Sequence, residues 1–375
     1  MIIGVPREKH GNEHRVGLSP FAISRLCALG HAVLVEQGAG ADAHLRDSDY
    51  QNAGARIVYS DEEVLRRGDL ICGVERMQAD EAELLQRGAV ICGFHHLAVA
   101  GTDFVKTLCE REITCIGYEL VEGPHGELPI RLPFAEMAGH LVLQIAARYL
   151  SVEEGGRGIL MGAVPTVAPP TVLILGAGQL GHAAAIHAVA AGAHTIVIDH
   201  DVAQLRQVHE GTAGKAVTIV ADSDRLEKYT SIADVVIGAV HIPGGRTPFL
   251  VSHDMVRGMK KGSVIVDASI DQGGCVETSR PTTLAEPIYV VEDVIHYCVP
   301  NMTASVARTA SRALASAALP YLIDIAEFGI EQALRRDPGL ARGVCIFKGQ
   351  LVHQRIAAAV GGELQSLDTL LEDRA

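Results

Sequence analysis

The sequence predicts an α/β protein of two doubly wound domains, with the second domain inserted into the first. Three observations carry this reading. Short runs rich in Val, Ile and Leu alternate with helical patterns from the N-terminus to about residue 302, the mark of mainly parallel sheets covered on both faces. A Gly/Pro-rich break, Glu122-Gly123-Pro124-His125-Gly126, interrupts the series. The 375 residues also exceed what one ordinary core serves.

The elements follow in order. Residues 2–5 form a first strand. Ser19-Pro20 is an N-cap followed by proline at the first helical position, and Gly30 closes that helix. A strand occupies 31–36. Ser60-Asp61-Glu62-Glu63 is a capping-box signature for a helix that Gly68 ends. Residues 69–74 and 89–94 are buried strands separated by an acidic amphipathic helix, and 113–118 is another strand. Beyond the break a long helix runs from about Phe134 to Leu150, followed by a loop-rich passage from Gly155 to Pro170. A second β/α series fills 171–302. Residues 305–335 are mostly helical, with a kink or break at Pro320. The domains are therefore 1–130 plus 306–375, and 131–305.

Composition excludes several classes. A net charge of −13 with no strongly basic stretch excludes nucleic acid as a partner. The apolar runs are too short and broken to cross a membrane. The N-terminus lacks a basic region before a long apolar run, so no signal peptide is expected and the protein reads as cytoplasmic. Eight cysteines show neither C-x-x-C nor Cys/His metal spacing. They read as buried reduced thiols, and no metal site is expected.

One motif carries chemistry by itself. The β-rich run Thr171–Leu175 leads into Gly176-Ala177-Gly178-Gln179-Leu180-Gly181 and then an alanine-rich helical stretch. The first glycine permits a tight turn, and the second lets backbone approach a pyrophosphate. The third lets helix and strand pack closely, while the helix N-terminus supplies donors. A second strand, 195–198, ends on Asp199, placed to hold ribose hydroxyls and to repel a 2′-phosphate. The turn therefore reads as a Rossmann-like dinucleotide site that favours NAD over NADP.

Other polar residues stand in apolar surroundings. Arg15, in the loop after the first strand, is either a bidentate carboxylate clamp or a surface arginine. In Phe94-His95-His96, either histidine is a proton-transfer group at a strand's carboxyl end or a satisfied structural residue. Asp271 lies in Val264-Ile265-Val266-Asp267-Ala268-Ser269-Ile270-Asp271, where a hydrophobic strand runs into an acid and then a glycine turn. It is either an acid acting beside the nicotinamide or a turn aspartate bonded to its own backbone. His296-Tyr297-Cys298-Val299-Pro300-Asn301-Met302 ends a strand before the last long helix.

Together these residues resemble the alanine dehydrogenase family, which also includes the soluble subunit of proton-translocating transhydrogenase. The strings that carry the resemblance begin with Ile3-Gly4-Val5-Pro6-Arg7-Glu8, Asn12-Glu13-x-Arg15-Val16 and Gly155-Gly156-Arg157-Gly158-x-Leu160-Met161-Gly162. The glycine turn, Ile270-Asp271-Gln272-Gly273-Gly274-Cys275, Ser279-Arg280-Pro281-Thr282-Thr283 and the 296–302 segment complete them. The resemblance implies a split catalytic domain, an inserted NAD domain and a homohexamer. It implies that Arg15 grips a substrate carboxylate and that His96 and Asp271 are catalytic. The cofactor-binding set is then Gly176, Gly178, Gln179, Leu180, Gly181, Asp199, Val240, His241, Ala268, Ser269, Arg280, Asn301 and Met302. The implied reaction is reversible oxidative deamination of an amino acid, L-alanine first, to its keto acid and ammonia.

The chain departs from the family at three places. Where the family carries a substrate-binding lysine, the stretch Gly73-Val74-Glu75-Arg76-Met77 places Glu75. At a separation of 5 Å and an effective dielectric of 20, that two-charge change is worth roughly 6 kcal/mol before relaxation. It points to a larger or basic amino acid, or another amine, as the alternative substrate. A cofactor-lining serine becomes Ala135, and a basic residue five beyond the ribose aspartate becomes Gln204. Retention of Arg15, His96 and Asp271 speaks against a non-catalytic NAD-binding homologue. A pocket histidine speaks against a transhydrogenase subunit.

Overall fold

A computed structural model describes residues 1–9, 13–242 and 245–372. The chain divides into two compact units, Met1–Pro133 with Ala304–Ala375, and Phe134–Thr303. Each is built on its own doubly wound sheet. In the first, eight strands run in the order Gln350–Leu351, Val344–Phe347, Thr114–Gly117, Val90–Phe94, Leu70–Glu75, Ile2–Val5, Ala32–Glu36 and Arg56–Val58. In the second, seven run in the order Ile288–Val291, Val294–Tyr297, Val264–Asp267, Val235–Gly238, Thr171–Leu175, His194–Asp199 and Val217–Val220.

The central strands are buried along their whole length, as in Val235–Gly238 and Val264–Asp267, because helices cover both faces. Their sequences accordingly read as continuous apolar runs rather than alternations. Caps fix several helix starts. Ser19 Oγ accepts the Ala22 amide ahead of Pro20, and Ser60 Oγ accepts that of Glu63 at 3.2 Å.

Three local expectations need correction, and one strand was not foreseen. Between 75 and 90 the helix is a single turn, Ala79–Ala82. Beyond it the Leu84 and Leu85 amides tighten onto carbonyls three residues back, and the Gln86 amide bonds across to the Leu65 carbonyl. The long C-terminal helix, Ala307–Phe328, continues through Pro320 and ends at Gly329, whose φ of +77° no helix can continue. The strand Val344–Phe347 adds antiparallel to Thr114–Gly117 and was not visible as a strand in sequence. All eight cysteines are free, yet Cys27 and Cys109 are half-buried rather than buried. Among the described residues no helix is long and apolar enough to cross a membrane, and no cluster could hold a metal.

Pro320 is exposed and sits inside a helix, where it cannot donate to the Ser316 carbonyl. Pro320→Ala restores that bond without emptying any core, so the expected gain is about 1–2 kcal/mol, read as a higher urea midpoint. A lower midpoint would mean that proline geometry is required there.

Candidate active site

In the first sheet, Ile2–Val5 has Leu70–Glu75 on one side and Ala32–Glu36 on the other. The loops leaving the carboxyl ends of Ile2–Val5 and Leu70–Glu75 therefore diverge, and open α/β sheets bind ligands at such reversals. Arg15 follows the first strand and Glu75 ends the second. Arg15 is only 3% exposed, and Glu13 holds its fork: Nε lies 2.7 Å from Oε1 and one terminal nitrogen 2.5 Å from Oε2. The Arg15 amide also donates to Glu13 Oε1 at 2.8 Å. Glu75 Oε1 stands 3.7 Å from the same terminal nitrogen, with 39% of its side chain exposed. Glu8 Oε1 accepts the Val74 amide at 2.6 Å. Burial pushes the Glu8 carboxyl up to about 8 against that hydrogen bond; the charges of Glu13 and Glu75 push the same way and Arg15 opposes them. Three carboxyl groups thus gather about one guanidinium. Asn12 lies outside the described residues.

The same unit separates the two histidines. His95 is buried, and burial first, then the charges of His96 and Arg76, lower its pKa to about 3. His96 has a half-exposed ring, stacked on Phe94 with centroids 6.4 Å apart. Its backbone is left-handed, with φ of 44°, and its amide donates to Glu119 Oε1 at 2.7 Å.

In the second sheet, Thr171–Leu175 lies between Val235–Gly238 and His194–Asp199, the same reversal of direction. Gly176 follows it with φ of +106°, and a Cβ there would stand 2.6 Å from the Ala239 carbonyl oxygen. A Cβ on Gly181 would meet the Gly176 carbonyl oxygen at 1.9 Å, so only glycine allows this helix-to-strand contact. Space around Gly178 is open. The helix Gln179–Ala191 begins there with no side-chain cap, leaving the amides of Gln179, Leu180 and Gly181 for a ligand. Asp199 accepts the Ala177 amide at 2.6 Å and the Asp201 amide at 2.8 Å, tying the second strand's end to the glycine turn.

Asp271 is exposed on the short turn Ile270–Gln272 and accepts the Asn301 amide at 3.0 Å. Gln272 clasps Ile242, accepting its amide at 3.0 Å and donating to its carbonyl at 2.7 Å. It thereby fixes the segment that carries Val240 and His241. Beneath the turn, buried Asp267 accepts the amides of Ser269, Cys275 and Val276. Burial raises its pKa above the usual carboxylate range, against those three bonds. The Ala268 amide donates to the Gly238 carbonyl, Met302 is buried, and Arg280 lies 4.1 Å over the Tyr289 ring.

Comparison with known proteins covers nearly the whole chain. Residues 4–138 match the profile "Alanine dehydrogenase/PNT, N-terminal domain", and residues 142–354 match "Alanine dehydrogenase/PNT, C-terminal domain". The chain belongs to the alanine dehydrogenase/PNT family. An alanine dehydrogenase of Halomonas elongata is 39% identical over 371 residues, 99% of this chain and 100% of that one. One of Mycobacterium tuberculosis is 40% identical over 361 residues, 96% and 97% of the two chains. A solved L-alanine dehydrogenase superimposes with a TM-score of 0.91 at 39% identity, covering 96% of this chain and 99% of its own. A transhydrogenase from Sinorhizobium meliloti shares the fold, with a TM-score of 0.81 at 24% identity over 94% and 100% of the chains.

Sequence reasoning gave no role to Glu8, Glu13, Asp267, Gln272 or Glu119. Two of them left a signal. Asp267 is an acid inside an apolar strand, and Glu13 is two residues from an arginine in a strand-end loop. Gln272 and Glu119 act across 30 and 23 residues of chain, and nothing local marks them.

Glu8 makes a testable contribution. Its native pKa is raised from 4.5 to about 8, so the folded chain keeps a proton that the unfolded chain has released. Stability from this group is full below pH 4.5 and is lost as pH rises through about 8. Urea midpoints measured from pH 5 to pH 9 should fall in the wild type and stay flatter in Glu8→Gln; parallel curves would contradict the assignment.

Proposed function

We propose that this chain is an NAD-dependent L-alanine dehydrogenase, interconverting L-alanine with pyruvate and ammonia. The observation that carries the reading is end-to-end similarity, at 39–40% identity, to proteins named alanine dehydrogenase. The chemistry of the two units supports it. The uncapped helix start, the open space at Gly178 and the acid at the second strand's end suit a dinucleotide with a free ribose diol. NAD, when bound, supplies the acceptor for the hydride that leaves the substrate's α-carbon. Arg15 holds the substrate carboxylate. His96 and Asp271 remove a proton from the water that attacks the resulting imino acid, and return it to the leaving amine. Unit Met1–Pro133 with Ala304–Ala375 is the substrate-holding domain, and Phe134–Thr303 is the cofactor domain. By the same resemblance the protein is a cytoplasmic homohexamer.

An NAD-coupled assay on L-alanine tests the reading, with NADP turned over far less efficiently because Asp199 disfavours a 2′-phosphate. His96→Ala and Asp271→Asn should each lower kcat at least ~100-fold while NAD affinity hardly changes. Near-normal turnover in either variant would remove that residue from the mechanism, and a preference for NADP would remove Asp199 from the ribose.

One observation favours a second substrate class. Glu75, where the family resemblance expects a lysine, is 3.7 Å from Arg15 in a region already holding Glu8 and Glu13. A further anion is disfavoured there, and a substrate with a second amine is favoured. The neighbouring Arg76 guanidinium turns to the His95 carbonyl. Glu75→Lys is expected to shift the ratio of kcat/KM values toward alanine and away from basic amino acids by at least ~10-fold. An unchanged ratio across a panel of amino acids would mean that Glu75 does not face the substrate.

A further inference from the structure

We propose that Glu119 is the positioning residue for His96, setting its backbone geometry and thereby the direction of its ring. The inference rests on the acid–base role given to His96 above and adds a group outside that reading.

The observations are local to one unit. His96 has φ of 44° and ψ of 47°, a left-handed conformation that a residue with a Cβ adopts only when its surroundings impose it. Glu119 Oε1 imposes it, accepting the His96 amide at 2.7 Å across 23 residues of chain. The same oxygen stands 3.9 Å from Nδ1 of the imidazole, at ion-pair distance. The Glu119 side chain is 10% exposed, and Oε2 is buried with no hydrogen-bond partner among the described residues. One carboxylate oxygen therefore serves two groups of His96, while the other has unused accepting capacity. Gly117 makes room for this arrangement, because a Cβ there would lie 3.0 Å from Oε1.

The amide bond aims the ring outward at 53% exposure, while the neighbouring His95 is buried.

Glu119→Gln keeps an oxygen that accepts the His96 amide, and Glu119→Ala removes it. The wild-type enzyme is first assayed on L-alanine with NAD, so failure of the general reading would appear there, before any variant is made. Ring-proton NMR of the whole protein then reports the surroundings of the His96 imidazole without relying on turnover. Glu119→Ala should lower kcat ~10-fold and shift the His96 ring-proton resonances, while NAD affinity and the unfolding midpoint hold. Glu119→Gln should keep kcat within about twofold of wild type, with those resonances near their wild-type positions. Wild-type turnover and resonances in Glu119→Ala would overturn the proposal; so would a ~10-fold loss of kcat in folded Glu119→Gln, even if Glu119→Ala were destabilised.

Discussion

In each sheet the chain leaves the central strand first toward one edge and later toward the other, and that reversal governs where chemistry can sit. Neighbouring loops at the carboxyl ends must part, since one travels over the upper face and its neighbour over the lower. At Ile2–Val5 and Leu70–Glu75 the parted loops carry Arg15 and Glu75. At Thr171–Leu175 and Val235–Gly238 they carry the glycine turn and the segment of Val240. Residues that could bind carboxylate or pyrophosphate are thus placed by strand order before any side chain is chosen. The contact of Gly176 with the Ala239 carbonyl shows how tight the second crevice is at its base.

Charge then has to be made tolerable inside these crevices. A guanidinium that is 3% exposed needs a fixed partner, and Glu13 supplies two side-chain bonds and one to the backbone. The pair is close to neutral and rigid, so the local field is decided by what surrounds it. Glu75 adds a negative charge, while burial holds Glu8 in its protonated form at neutral pH. Had Glu8 remained ionised, it and Glu75 would be two like charges repelling one another. Protonation of a buried acid is the cheaper outcome. Among the described residues, Glu75 is therefore the carboxylate near Arg15 that neither burial neutralises nor two side-chain bonds engage.

The parts legible in the sequence were those whose physics is local. Three glycines and an acid after the next strand state the dinucleotide turn, because each answers a steric or electrostatic demand within about two dozen residues. Arg15, His96 and Asp271 were visible as polar residues at strand ends, though only the family resemblance separated their roles. Partners that depend on strand order were not legible: Glu119 reaches His96 because Thr114–Gly117 lies beside Val90–Phe94. Pro320 misled because local propensity forbids what packing of Leu314, Ala318 and Leu322 sustains on the buried side of the helix. Val344–Phe347 escaped notice because a buried strand of four residues has little periodicity to display.

Two residues of the candidate site share one backbone device. His96 and Asn301 are both non-glycine residues with positive φ, 44° and 55°. In each case a carboxylate accepts the backbone amide, Glu119 at 2.7 Å and Asp271 at 3.0 Å. A left-handed residue of this kind costs on the order of 1 kcal/mol, and a charge-assisted hydrogen bond offsets that cost while fixing the direction of the following chain. The device carries a consequence for the acid itself. Asp271, proposed to move protons, is held by the very bond that shapes Asn301, so its carboxylate cannot swing away without releasing that backbone. Asparagine at 271 keeps an accepting oxygen and therefore the loop, whereas alanine surrenders both. Loss of turnover in the first substitution reports the missing acid, and loss in the second reports the missing acid together with a relaxed Asn301.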